Sequence, residues 1–123
     1  MKNQAYRMSM LFDFYGDLLT ERQREFYDLY YNEDLSLAEI AENYGISRQG
    51  VRDVIVRAEA AMSEIEEKTH IIRRFHQSQK AIAAIDAAAD RLLQAVNQRS
   101  YSDAMLDELA HTIKENIAKL NQE

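Results

Sequence analysis

The run from Leu35 to Met62, LSLAEIAENYGISRQGVRDVIVRAEAAM, constrains the fold more than any other part of the chain. Ser36 followed three residues later by Glu39 has the spacing of a capping box, in which each side chain bonds the other's backbone N–H at a helix start. Ile40, Ala41 and Tyr44 then recur at helical spacing. Gly45 follows where a helix must stop and reverse, a left-handed position in which a Cβ is penalised. Ile46 anchors the turn, Ser47 caps a second helix, and Val51, Val54 and Ile55 form its inward stripe. The small Ala41 permits close approach of the two segments. Cap, small residue, glycine and stripe together predict a helix-turn-helix.

If Val51, Val54 and Ile55 face inward, the outward set is Ser47, Arg48, Gln49, Arg52 and Asp53. Arg48, Gln49 and Arg52 lie in the first turn and a half, the part of a recognition helix that enters a major groove. Arginine can hold guanine O6 and N7 with both arms, and glutamine can do the same for adenine N6 and N7. Ser47 and the free N–H groups at the helix start suit a phosphate. The same side chains would serve equally as the solvated surface of a helix pair that only packs. Ser47, Arg48, Gln49 and Arg52 are the candidate DNA-binding residues.

Charge opposes a simple reading as a DNA binder. The 123 residues carry 15 Lys and Arg against 21 Asp and Glu, a formal charge of −6. Affinity for duplex comes largely from cations that neutralise phosphates. Within the motif, Arg48, Arg52 and Arg57 face Glu39, Glu42, Asp53 and Glu59. Binding by one copy should therefore be weak and salt-sensitive, and should depend on dimerisation or a partner.

With no proline and only three glycines, sharp turns are scarce and an all-α chain is favoured. No cysteine is present, so disulfides and thiolate zinc sites are excluded. No segment is apolar enough to span a bilayer, and MKNQAYRMSM lacks the apolar core of a signal peptide; a cytoplasmic location is expected.

Met8, Leu11, Phe12, Tyr15 and Leu18 or Leu19 predict a first amphipathic helix near residues 5–19. Thr20 and Gln23 form a second capping box that starts a helix ending near Asn32, with Phe26, Leu29 and Tyr30 inward. Seven rings (Phe12, Phe14, Tyr15, Phe26, Tyr27, Tyr30, Tyr31) could stack on bases, but helical spacing assigns them to core. Beyond the motif, Val51, Ile55, Ala58, Met62, Ile65, Thr69 and Ile72 alternate four and three apart. They predict one uninterrupted helix from Arg48 to Phe75, about 28 residues or roughly 42 Å. After Gln77-Ser78, a further helix carries Ile82, Ile85, Ala89, Leu92, Leu93 and Val96. A turn at Asn97–Tyr101 leads to a last helix capped by Ser102, with Met105, Leu106, Leu109, Ile113, Ile117 and Leu120. The last two helices read as a hairpin that packs as a bundle or as a dimer interface.

The chain offers no constellation for catalysis. His70, His76 and His111 have no i, i+4 pairing and read as surface or seam residues; Glu64, Glu66 and Glu67 read as a solvated helix face. No Gly-rich phosphate loop or nucleophile motif is present. No enzyme activity, cofactor or metal is expected.

Residues 36–62 resemble the DNA-reading part of sigma-factor region 4. Residues 7–75 resemble more closely the bacterial YlxM family, through LFDFY, LLT, LYY with its acidic link, SLAEIAE and SRQ, which match together. The resemblance implies a cytoplasmic protein whose gene lies beside those of the signal recognition particle, with a proposed regulatory role in that pathway. Carried over, the family's presumed DNA-facing positions fall on Ser47, Arg48, Gln49 and Arg52. Gly50 stands where the family generally has alanine, Val56 where a basic residue is expected, and Arg52 where an aromatic is expected.

The expected architecture is all-α: a sigma-region-4-like helix-turn-helix head over residues 1–62 with a long recognition helix, and a helical tail over 63–123 ending in a hairpin. The leading function is a DNA-binding regulator, homodimeric, with a possible partner in the signal recognition particle pathway. The alternative is an interaction module of the targeting machinery that never touches DNA.

Overall fold

In the computed structural model, residues 5–122 are described; residues 1–4 and 123, which begin the expected head and end the expected tail, lie outside the described residues. Among the described residues every regular element is helical. They are α1 (Ala5–Tyr15), a 3-10 turn (Gly16–Leu18), α2 (Glu21–Tyr31), α3 (Leu37–Tyr44), α4 (Arg48–Thr69), α5 (Ile71–Gln98) and α6 (Asp103–Leu120). The chain divides into two compact units after Ile72, not at residue 62. No helix among the described residues is long and apolar enough to cross a membrane.

The head begins its helices where its caps dictate. Thr20 Oγ1 accepts from the Gln23 N–H at 3.2 Å while Gln23 Oε1 accepts from the Thr20 N–H at 3.1 Å. Ser36 and Glu39 repeat the arrangement at the start of α3. Each box satisfies two of the N–H groups that a helix start leaves without partners. Between the capped ends, Met8, Leu11 and Tyr15 from α1, Phe26, Tyr27 and Tyr30 from α2, Ile40 and Ala41 from α3, and Val51, Ile55, Ala58 and Met62 from α4 form one buried cluster. The aromatic residues belong to this core. Phe12 stacks on Tyr27 with centroids 5.2 Å apart, and Phe26 meets Tyr44 edge-on at 4.8 Å. The buried Tyr27 hydroxyl donates to the Met8 carbonyl at 2.7 Å, so its polar end is satisfied inside.

The uninterrupted helix expected from Arg48 to Phe75 is not found. α4 ends at Thr69, His70 adopts a left-handed conformation (φ 55°), and α5 starts at Ile71. Histidine is among the few non-glycine residues enriched in that conformation. Tertiary bonds hold the break. Glu66 Oε1 accepts from the Tyr15 hydroxyl at 2.5 Å and from the Ile72 N–H at 2.9 Å, and the Tyr15 hydroxyl lies 3.0 Å from Thr69 Oγ1. Glu66, expected on a solvated face, thus caps the start of α5 and binds it to α1. The reward for breaking is that Ile72 enters the head core.

The break expected near Gln77-Ser78 is also absent, since α5 runs through it to Gln98. A left-handed Arg99 (φ 51°) closes the helix, and Ser102 Oγ caps α6 by accepting from the Met105 N–H at 3.2 Å. Gln77, Lys80, Ala81 and Ala84 from the first half of α5 line one hollow with Asn116 and Lys119 from the end of α6 and Gln122 just past it. The two helices are therefore antiparallel, the expected hairpin. The buried side chains of this unit are Ala81, Ala88, Ala95, Leu109 and Asn116. Asn116 donates to the Thr112 carbonyl one turn back at 2.7 Å.

Burial raises the Tyr15, Tyr27 and Tyr31 phenols above their ordinary value; beside Tyr27 and Tyr31 the Glu59 carboxylate adds to it, and beside Tyr15 the Glu66 carboxylate does. A raised folded-state value means that the native state holds protons the unfolded chain releases, so stability is complete below pH ~10 and falls above it. Urea midpoints measured upward from neutrality should stay flat to about pH 10 and then drop. In Tyr31→Phe the alkaline drop should be shallower.

Candidate nucleic-acid interface

The turn between α3 and α4 has the conformation its sequence predicts. Gly45 is left-handed (φ 66°), its N–H donates to the Ala41 carbonyl, and the Ile46 N–H reaches the same carbonyl at 3.1 Å. Open space surrounds the point where a Gly45 Cβ would sit, so the glycine is required by backbone conformation alone. Ser47 Oγ accepts from the Gly50 N–H at 3.0 Å and starts α4. That bond leaves the Ser47 hydroxyl hydrogen available to donate outward.

From there the helical repeat places the candidate side chains. Val51, Ile55, Ala58 and Met62 are fully withdrawn from solvent against α1, α2 and α3. Each residue advances about 100°, so Arg52 stands about a quarter turn from the buried stripe and Gln49 nearly opposite it. Ser47, Arg48, Gln49 and Arg52 are all exposed. With Leu37 from the first turn of α3 they line an open depression of about 510 Å³. Those four were the residues singled out from the sequence, and the fold brings them onto one surface. Leu37 was missed; its position directly after the Ser36 cap was the available signal.

Among the described residues no carboxylate pairs with Arg48 or Arg52. Both guanidinium groups are open to an anionic ligand. Gln49 is engaged, its Nε2 donating to Asp53 Oδ1 at 2.9 Å one turn on, which leaves its second N–H and its Oε1 for a base edge. The small residue at position 50 also has a local reason, because an added Cβ would lie 3.2 Å from Ser47 Oγ, the oxygen that caps the helix. Val56, where a cation was expected, is partly exposed and supplies no charge.

Residues 2–100 match the family described as "Putative helix-turn-helix protein, YlxM / p13 like", UPF0122. The chain belongs to this family. It is 46% identical over 82 residues to the UPF0122 protein of Desulforamulus reducens, covering 67% of this chain and 70% of that one. It is 38% identical over 114 residues to UPF0122 proteins of Bacillus cereus and Bacillus anthracis, covering 93% of this chain and 97% of theirs. The YlxM-like character therefore extends past residue 75, where the recognisable motifs end, into the hairpin. The helix-turn-helix geometry of this chain agrees with the family's description.

Because Ser47 caps the start of α4 and sits outside the core, Ser47→Ala should lower stability by about 1 kcal/mol. Arg48→Ala and Arg52→Ala, on the exposed side, should change it by less than about 0.5 kcal/mol. Urea unfolding of the three variants checks the contrast.

Proposed function

We propose that this UPF0122 protein is a helix-turn-helix DNA-binding regulator whose α4 enters the major groove. Arg48 and Arg52 contact base edges or phosphates, Gln49 reads a base with its second N–H and its Oε1, and Ser47 with the first N–H groups of α4 holds a phosphate. The observation that carries this reading is the shared open surface of those four residues, with two arginines that no carboxylate of the described chain neutralises. The protein acts in the cytoplasm as a homodimer, and its regulatory target lies in the signal recognition particle pathway, as its YlxM resemblance implies.

A second reading has its own observation. Residues 1–72 hold eight Lys and Arg against fourteen Asp and Glu, so the whole formal charge of −6 lies in the head. Such a head suits a basic protein partner in the targeting machinery, with DNA left untouched.

Sequencing genomic fragments retained by the purified protein at low salt separates the two. Enrichment of discrete fragments supports the DNA reading, and uniform absence of retention at micromolar protein overturns it. On an enriched fragment, Arg52→Ala should weaken binding and reduce the slope of log K against log salt by about 1, since each phosphate contact contributes about 0.9. An unchanged affinity together with an unchanged slope removes Arg52 from the interface.

A further inference from the structure

The hairpin of α5 and α6 buries the wrong residues for a unit that stands by itself. Its fully buried side chains are three alanines, one leucine and one asparagine, with Ile85, Leu92, Met105, Leu106, Ile113 and Leu120 half-buried, while other large apolar side chains remain in water: Leu93 is 64% exposed, Val96 60%, Ile82 49% and Ile117 39%. A segment of this size with so few large side chains fully buried gains little from hydrophobic burial alone, and oligomerisation is one of the few remedies.

The exposed Ile82 and Val96, with the half-buried Ala89 between them, form a pattern. Ile82, Ala89 and Val96 each follow one of the buried alanines, Ala81, Ala88 and Ala95, by a single residue. They therefore make a second stripe about 100° around α5 from the first, with the seven-residue repeat of helices that pack side by side. On α6, Ala110 and Ile117 follow the buried Leu109 and Asn116 by the same single step. Since the two helices are antiparallel, equal offsets on each turn toward the same face of the hairpin. Leu93 extends that face on α5. The result is one continuous apolar face spanning both helices.

We propose that this face is covered by the same face of a second copy, the two hairpins closing into a four-helix bundle. The proposal rests on the two-copy part of the reading above and not on its DNA part. Charge selects the occupant. Residues 73–123 hold seven Lys and Arg against seven Asp and Glu, so two copies meet without net repulsion and the tail has no net attraction for a polyanion or a strongly basic partner. Area agrees. At these exposures the four large side chains offer on the order of 100 Å² each, roughly 400 Å² of apolar core, about half of what each partner buries in a standard interface. A patch of about that size is the largest a typical monomer exposes, and such patches often mark interaction sites.

The test is the molar mass of the full chain by light scattering and sedimentation equilibrium, from roughly 1 to 100 µM, where a micromolar dimer would dissociate. Wild type should show twice the chain mass at the upper end. Ile82→Glu combined with Val96→Glu should show a single chain, with association weakened by about 100-fold or more, because two charges per copy would be buried without partners. Ala87→Glu, on an exposed position away from the stripe, should associate as wild type does. If the double glutamate variant loses helical circular dichroism, Ile82→Ala with Val96→Ala replaces it, and the same shift toward monomer is expected with helicity retained. A wild-type chain at single mass throughout overturns the proposal, as does unchanged association in the variants. A dimer that retains no DNA sinks the DNA reading alone; a monomer that retains DNA sinks this proposal alone.

Discussion

The burial of one side of α4 governs everything else in the head. Val51, Ile55, Ala58 and Met62 are closed off by α1, α2 and α3, so the rotation of α4 about its own axis is fixed by hydrophobic burial. A helix that cannot rotate cannot exchange its two sides. Arg52 and Gln49 stay outward because turning them in would require taking those four side chains out. Burying side chains of this kind contributes about 1.5–3 kcal/mol for each large one, which far exceeds any preference of an exposed arginine. The presentation of the site is therefore a consequence of packing on the opposite side.

The junction at His70 shows how a tertiary contact overrides a local pattern. Val51 to Ile72 keeps a regular three-and-four spacing, and nothing in it forbids helix, so periodicity alone reads straight through. Helical Ile72 would then continue along the axis of α4. In the folded chain it turns back to the head core instead, and Glu66 serves both sides of the turn by accepting from Tyr15 and from the Ile72 N–H. Tyr15 lies 51 residues before Glu66, so the bond that determines the break has no trace within the window in which helix ends are read. The local hint was the histidine itself, with β-branched Thr69, Ile71 and Ile72 around it.

What was legible in the sequence divides along the same line. Caps at Thr20, Ser36, Ser47 and Ser102, the left-handed Gly45 and the inward stripe of α4 are set by residues within four positions of one another, and all stand where the residues place them. The four candidate site residues were legible for the same reason, since they share one turn and a half of a helix. Leu37 was not, because it reaches that surface from another helix. Nor was Glu66, whose neighbours in sequence are acids on an exposed face while its partner lies in α1. In the hairpin, Ile82, Leu93 and Val96 fit an apolar face of α5, yet alanines took the interior. Periodicity finds that a stripe exists; it does not say whether the stripe's neighbour belongs to the same chain.

Charge distribution links the two units to function. An acidic head with a small exposed group of arginines opposes duplex through its long-range field and attracts it only at close range, where Arg48 and Arg52 can reach phosphates or base edges. Long-range repulsion slows encounter and weakens non-specific binding, which depends on total phosphate neutralisation. Contacts to base edges are less affected, because they are made within a few ångströms, inside the screening length. On the proposed DNA reading, a protein so arranged would give up general affinity for DNA and retain discrimination. Two recognition helices linked in a pair of copies would recover the lost affinity, since binding of the second would proceed at the effective concentration imposed by the first. The neutral, apolar hairpin is the part of the chain suited to that linkage, and the acidic head is the part that makes it necessary.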